Sequence, residues 1–266
     1  MEKAYLVTGA CGGLGRAVTS ALAERGARVF ASDIDREALA QSRESAAIHP
    51  LFVDVTRAGS ATQARTEIQK TAISLDGIVC AAGVYVGGPL LGVSDDEIRR
   101  AFDINVMGAV NIVRELFPLL KSGSRIVLIS SESTRAAVPF TGPYAMSKCA
   151  LEAYADTLRR ELLPFGIRVT VIQPGAIRTR LLESAAESLT TNSRLPVYRR
   201  GLSSAASVLE KSARKGMQPA HVADLIVRTL ESRRPLRLRR VGNDPARALL
   251  SMLPPSLIDA LVGKFL

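Results

Sequence analysis

Histidine and cysteine are scarce in this chain. Its two histidines, His49 and His221, lie far apart, and neither stands in a cluster with cysteine or acid. A zinc centre or a Ser-His-Asp triad is left without support, and no metal site is expected. The three cysteines, Cys11, Cys80 and Cys149, are an odd number with no C-x-x-C pair. They read as small buried residues in a reducing compartment rather than a disulfide framework, so a cytoplasmic location is expected. Long hydrophobic runs are also missing: none reaches the ~18 residues a membrane span needs. The most apolar stretch, ALLSMLPPSLIDALVGKFL, is interrupted by Pro254 and Pro255 and carries Asp259 and Lys264. The opening MEKAYLVTGA reads as a strand running into a glycine turn. It has no n-region, h-region or cleavage site, so no secretory signal is read there.

Acidic residues thin out between Arg194 and Arg247, where arginine recurs, as in RRPLRLRR at 233–240; the formal net charge is +10. Such a stretch can attract nucleic acid or an anionic membrane or substrate. It can equally be an edge strand, with Leu236 and Leu238 alternating against Arg237 and Arg239 to blunt the edge. No aromatic residues interleave it and no helix-turn-helix pattern stands nearby, so nucleic acid is not an expected partner.

What is present is a regular alternation. The chain has 266 residues, about half of them apolar, enough for one large α/β domain spanning residues 1–266. Strands are expected at 4–8, 28–32, 49–55, 77–83, 125–131 and 167–175, with a seventh in RPLRLRRV. Helices are expected at 16–25, 36–44 and 61–72. A long one opens at the capping box Ser94-Asp95-Asp96-Glu97 and runs toward Leu120. Another starts near Tyr144 and ends at Pro164-Phe165-Gly166, and one more starts at Pro219. Apolar strands alternating with helices imply a doubly wound parallel sheet, the Rossmann fold, with about seven strands covered on both faces. The expected strand order is 3-2-1-4-5-6-7. Residues 181–218, rich in Ser, Ala and Arg, break the alternation and are a candidate active-site lid. An apolar tail occupies about 246–266.

Two local patterns carry chemistry. The turn Thr8-Gly9-Ala10-Cys11-Gly12-Gly13-Leu14-Gly15 joins the first strand to the first helix. There a glycine-rich backbone lets a pyrophosphate approach a helix N-terminus with free N–H donors. Asp33 follows Gly15 by eighteen residues at the end of the second strand. A carboxylate there accepts hydrogen bonds from an adenosine ribose and repels a 2′-phosphate, favouring NAD over NADP. Arg36, just beyond, could offset that repulsion. The second pattern is GPYAMSKCA, which puts Tyr144 and Lys148 four apart, hence neighbours on one helix face. A lysine charge beside a phenol favours the phenolate, and such a pair can shuttle protons. Alone, the pair can also be a helix anchor with a solvated lysine.

Taken together, TGACGGLG, AAG at 81–83, Asn105, Ser131, YAMSK and PGAIRT resemble the classical short-chain dehydrogenase/reductase family from about residue 4 to 180. The resemblance implies that Tyr144 is the acid/base, with Lys148 and the positive nicotinamide together lowering its pKa and Lys148 holding the nicotinamide ribose. It implies that Ser131, thirteen residues before the tyrosine, holds the substrate oxygen, and that Asn105 holds a water linking Lys148 to solvent. It implies cofactor contacts from Gly9, Cys11, Gly13, Leu14 and Gly15, from Asp33 and Ile34, and from Asp54 and Val55 beside the adenine. Ala81, Ala82 and Gly83, then Pro174, Gly175, Ile177 and Thr179, complete that set together with Tyr144 and Lys148.

One departure stands out. Where the family commonly carries Asn-Asn-Ala-Gly or Asn-Ala-Gly, this chain has Cys80-Ala81-Ala82-Gly83, so the amide that steadies the central sheet is missing. Gly12 occupies a place where NADP-preferring members often carry a basic residue, which agrees with Asp33.

The C-terminal stretch is loosely similar to the retinol and hydroxysteroid dehydrogenase branch. That implies NAD-dependent interconversion of a hydrophobic secondary or allylic alcohol, steroid-, retinoid- or lipid-like, and its carbonyl. The alternatives are an NADPH-dependent ketone or 3-oxoacyl reductase and a non-catalytic dinucleotide sensor. Family resemblance also implies a homodimer or homotetramer, with Ala145, Ala150, Ala153 and Ala155 permitting close helix packing. Membrane contact by the tail is the less favoured alternative to its packing on its own domain.

Overall fold

The structure is a computed structural model and describes residues 2–42, 45–191, 195–250 and 252–263. In chain order the elements are β1 (Ala4–Thr8), α1 (Gly13–Ala23), β2 (Arg28–Asp33), α2 (Arg36–Gln41), β3 (Ile48–Phe52), α3 (Ala58–Gln69) and β4 (Leu75–Cys80). They continue with α4 (Asp95–Phe102), α5 (Gly108–Leu116), β5 (Leu120–Ile129), α6 (Gly142–Glu161) and β6 (Arg168–Pro174). The last are α7 (Arg180–Thr191), α8 (Arg199–Lys215), α9 (Pro219–Glu231), β7 (Leu238–Val241), α10 (Pro245–Leu250) and α11 (Pro255–Val262).

The seven strands form one sheet in the order β3-β2-β1-β4-β5-β6-β7, and every neighbouring pair is parallel. Side chains alternate across a strand, and β1 shows it. Leu6 joins the core on one face with Phe30, Ile68, Ile112, Leu116 and Leu151. Tyr5 and Val7 join the opposite core with Val18, Leu22, Ile226 and Leu230. Helices α3, α5 and α6 thus cover one face, and α1 and α9 the other. Both faces are dry, which is why the strands read as continuous apolar runs.

Strand ends depart from expectation where pairing decides them. β3 stops at Phe52 because its last partner is Asp33, the end of β2. As an edge strand it tolerates Pro50. β5 begins five residues early, because Leu120 pairs with Leu75 ahead of a register shift in β4. The RPLRLRRV stretch supplies β7, a parallel edge strand beside β6. Its neighbour Arg237 pairs with Asp156, and Arg240 Nε donates to Gln173 Oε1 at 3.0 Å. The capping box forms, with Ser94 and Glu97 bonding reciprocally. The helix it opens is interrupted: residues Asp103–Met107 form a π-helical turn between α4 and α5. The expected helix to residue 44 is described only as far as Gln41, and residues 43 and 44 lie outside the described residues.

The 181–218 segment is a helical hairpin, α7 against α8; residues 192–194 lie outside the described residues. Phe140, Leu189, Leu202 and Ala206 form its own small core. Phe140 belongs to the loop between β5 and α6 and is held at φ 67. A non-glycine residue in that region costs of order ~1–3 kcal/mol and needs over-determining contacts. They are present: its ring meets Tyr198 edge-on at 5.7 Å and its carbonyl accepts Gly88 N–H at 2.8 Å. The tail folds as α10 and α11 with Leu249, Met252, Leu257 and Leu261 exposed; residues 251 and 264–266, including Lys264, lie outside the described residues. Among the described residues no helix is long and apolar enough to cross a membrane.

Candidate active site

Parallel strands bring all their C-terminal ends to one edge of the sheet, and loops leaving that edge line a cleft of about 1530 Å³. At one end lies the glycine turn between β1 and α1. Gly9 sits at φ 66, and a Cβ on Gly15 would lie 2.0 Å from the Gly9 carbonyl. Only glycine fits this arrangement, which leaves backbone N–H groups at the start of α1 open to the cleft. Asp33 faces the turn. Its Oδ2 accepts Cys11 N–H at 2.9 Å, and its Oδ1 accepts the N–H groups of Ile34 at 2.8 Å and Asp35 at 3.2 Å. The Cys11 thiol is pushed up to about 11 by burial and by the Asp33 charge, so it stays protonated. Arg36 turns elsewhere: its guanidinium stacks 3.5 Å above the Phe52 ring.

The missing amide at position 81 is compensated from β1. The buried Thr8 hydroxyl accepts the N–H groups of Ala81 at 3.2 Å and Ala82 at 3.1 Å. Asp54 anchors the turn into α3, with Oδ1 accepting Thr56 N–H at 3.0 Å. The Val55 carbonyl accepts Asn111 Nδ2 at 3.0 Å. The backbone of residues 175–178 is tied to β7 and to the turn between α8 and α9. Gly175 N donates to Val241 O at 2.9 Å, and Arg178 N to Met217 O at 3.0 Å. Pro174, Gly175, Ile177 and Thr179 thereby line the cleft with the glycine turn.

Opposite them, α6 starts at Gly142 with Pro143 in its first turn, which sets Tyr144 and Lys148 on the cleft. The Tyr144 and Ser131 hydroxyls interact as hydrogen-bond partners. Ser131 Oγ also accepts Ser133 N–H at 3.2 Å, which fixes the serine at the head of a short turn. Lys148 Nζ donates to the Ile129 carbonyl at 2.9 Å and lies 5.7 Å from the centre of the Tyr144 ring. Burial pushes this lysine down from 10.5 to about 8. Tyr144 moves the other way. Burial raises it, and the opposing influences are its hydrogen bond with Ser131 and the charge of Arg247. Burial thus opposes the lowering that the family resemblance assigns to Lys148 together with the nicotinamide.

Asn105 stands on the π-helical turn and is buried. Its Oδ1 accepts Val84 N–H at 2.8 Å, and its Nδ2 donates to Val84 O at 3.0 Å and Ser147 Oγ at 2.9 Å. Three of its four hydrogen-bonding positions are thus used by protein. The remaining one is on Oδ1, which neighbours Gly83 as Lys148 Nζ does: a Cβ on Gly83 would lie 3.1 Å from the former and 3.5 Å from the latter.

Residues 3–190 match the family model described as short chain dehydrogenase. The chain belongs to the short-chain dehydrogenase family. It is therefore an NAD(P)-dependent oxidoreductase. It is similar to the uncharacterized oxidoreductase YusZ of Bacillus subtilis, 30% identical over 99% of this chain and 98% of that protein. It is also similar to retinol dehydrogenase 5 of Homo sapiens, 35% identical over 69% of this chain and 60% of that protein. In fold it resembles a short-chain dehydrogenase/reductase from Burkholderia phymatum solved in complex with NAD, with TM-score 0.81 and 23% identity over 98% of this chain and 95% of that one.

For this short-chain dehydrogenase the motif reading missed groups that no motif announces. Glu152, one turn past Lys148 on α6, accepts hydrogen bonds from Ser130 Oγ, Thr134 Oγ1 at 2.9 Å and Gln173 Nε2 at 3.0 Å. This network ties the loop carrying Ser131 to α6 and β6. Tyr85, two residues past Gly83, packs its ring 4.9 Å from that of Tyr144. Arg247 of α10 reaches the same cleft. The i,i+4 spacing from Lys148 was the available signal for Glu152; Tyr85 and Arg247 had none.

Proposed function

We propose that the enzyme interconverts a hydrophobic secondary or allylic alcohol, steroid-, retinoid- or lipid-like, and its carbonyl with NAD. The observation that carries this reading is the meeting of Ser131, Tyr144 and Lys148 in the cleft that also holds the glycine turn and Asp33. The residues fit a dinucleotide, because the Gly9–Gly15 cradle has room only where side chains are absent. Gly9, Cys11, Gly13, Leu14 and Gly15 would offer backbone to the pyrophosphate, and Asp33 and Ile34 would meet the adenosine ribose. Asp54 and Val55 would flank the adenine, and Ala81, Ala82 and Gly83 would follow the chain of the cofactor. Pro174, Gly175, Ile177 and Thr179 would hold the carboxamide. The Asp33 carboxylate at the end of β2, which repels a 2′-phosphate, supports NAD over NADP.

The bound nicotinamide supplies the hydride exchange. The chain's own residues handle the proton. Ser131 donates to the substrate oxygen, and Tyr144 takes the proton in oxidation or gives it in reduction. Lys148 bonds the ribose hydroxyls, and its charge next to the phenol offsets the burial that holds Tyr144 protonated. Asn105 keeps one acceptor position for a water beside Lys148. Apolar side chains of the hairpin, Leu181, Leu182, Val208 and Leu209, line the cleft and suit an apolar substrate body. Pairing of copies through the Asn105 and Tyr144 helices is supported by exposed Met107 and Met146. Of the four alanines, Ala145 and Ala155 are used in the chain's own core, which leaves Ala150 and Ala153 for such a contact.

The test is a titration of NADH against NADPH by fluorescence, on wild type and on Asp33→Ala, followed by a screen of hydrophobic secondary alcohols. Tight NADH binding that loses its preference in Asp33→Ala supports the reading. NADPH binding more tightly to wild type would overturn the cofactor assignment.

A further inference from the structure

The substrate half of the cleft is not uniformly apolar. Beside Tyr144 lie two polar groups that the hydride chemistry does not use. The first is Arg247, half-buried at the middle of α10 and part of the cleft wall. Among the described residues it makes no hydrogen bond or ion pair. Asp244, three residues before it, has Oδ1 accepting Ala246 N–H at 2.9 Å, and Glu132 Oε2 accepts Asp244 N–H at 2.7 Å. The second is the Tyr85 hydroxyl, sealed from solvent and, among the described residues, without a partner. Buried polar atoms are nearly always bonded, so an orphan on a ligand cleft marks a place for an incoming acceptor. The two groups belong to one neighbourhood. The Tyr85 ring lies 4.9 Å from the Tyr144 ring, and the charge of Arg247 acts on both phenols. Facing them, the hairpin offers exposed Leu181 and Val208 along the same cleft.

We propose that the substrate is an anionic amphiphile, whose carboxylate, sulfonate or phosphate is held by Arg247 with Tyr85 as second donor, while its apolar body lies against the α7–α8 hairpin. A guanidinium offers forked donors matched to such oxyanions. Bringing the anion close to the reacting carbon also fixes the carbinol in front of Ser131 and Tyr144. This inference rests on the alcohol/carbonyl reading above and names the substrate class of that site.

The test separates binding from turnover. Protein loaded with whichever of NADH or NADPH binds more tightly, so that the glycine turn is filled, is titrated calorimetrically with octanoate and with 1-octanol. Wild type is expected to bind octanoate at least tenfold more tightly than 1-octanol. Arg247→Met should lose at least tenfold in octanoate affinity, Arg247→Lys less, and Tyr85→Phe a few-fold. Exposed Arg234→Met serves as the control that keeps the ratio. Equal binding of octanoate and 1-octanol by wild type, or octanoate binding unaltered in Arg247→Met, would overturn the anchor. Oxidation of a secondary hydroxyoctanoate with NAD is followed separately. Its absence beside Arg247-dependent octanoate binding strikes the alcohol reading and leaves the anchor standing.

Discussion

Lys148 is a charge the fold holds at a cost. Burial lowers it from 10.5 to about 8, a difference equivalent to ~3 kcal/mol of destabilisation when the lysine is protonated. Lys148→Met keeps the length of the side chain and removes that penalty. It also deprives the Ile129 carbonyl of its 2.9 Å donor, which offsets the gain by ~1 kcal/mol. The net is ~2 kcal/mol, or a rise in Tm of roughly 4–8 °C for a chain of this size. The pH dependence follows from the lowered folded-state pKa. Below about pH 8 the lysine is charged in both states, and the folded wild type bears the whole penalty. Between 8 and 10.5 the unfolded chain binds more protons, so wild-type stability climbs relative to the variant. Above 10.5 the lysine is neutral in both states and the advantage disappears. Thermal unfolding followed by circular dichroism at pH 7 and pH 10.5 measures both ends. Turnover should fall at least a hundredfold in the same variant, a gain in stability at the expense of function. A variant that melts below wild type at pH 7, or a gain unchanged at pH 10.5, refutes the reasoning.

Tyr144→Phe should lower kcat by ~10²–10⁴, the contribution of a positioned acid/base, while NADH affinity changes less than twofold; comparable turnover would remove the phenol from the mechanism. Gly15→Ala places a Cβ 2.0 Å from the Gly9 carbonyl, so NADH binding should weaken at least tenfold, as read by fluorescence titration. Glu152→Ala removes the acceptor of Ser130, while Thr134 keeps the Ser131 carbonyl and Gln173 keeps Thr134 Oγ1, and should cost ~1–3 kcal/mol in urea unfolding, with Glu152→Gln losing less. Identical midpoints for Glu152→Ala and wild type would show that the network does not brace the Ser131 loop.

The local parts of this molecule were readable from residue order, because their causes are local. Alternating apolar runs and helical periods follow from backbone geometry, so the seven strands could be anticipated, and the family resemblance implied their order. Ser94 and Glu97 cap a helix at a distance of three residues. The close approach of Gly15 to Gly9 is made within seven residues, and Tyr144 and Lys148 share a face through the pitch of one helix. The tertiary structure decided what depends on partners remote in sequence or on exclusion of water. Where β3 and β5 begin or end was set by neighbouring strands. Val84 and Ser147, 21 and 42 residues away in sequence, took up most of the Asn105 amide. The Phe52 ring, on the neighbouring strand, took up the Arg36 guanidinium. The direction of the Tyr144 shift is the sharpest case: a four-residue spacing points to lowering by Lys148, yet burial raises it and Arg247, more than a hundred residues later, is the opposing charge. Spacing fixes which groups can meet on one helix. Desolvation and the arrival of the tail exist only once the chain is packed.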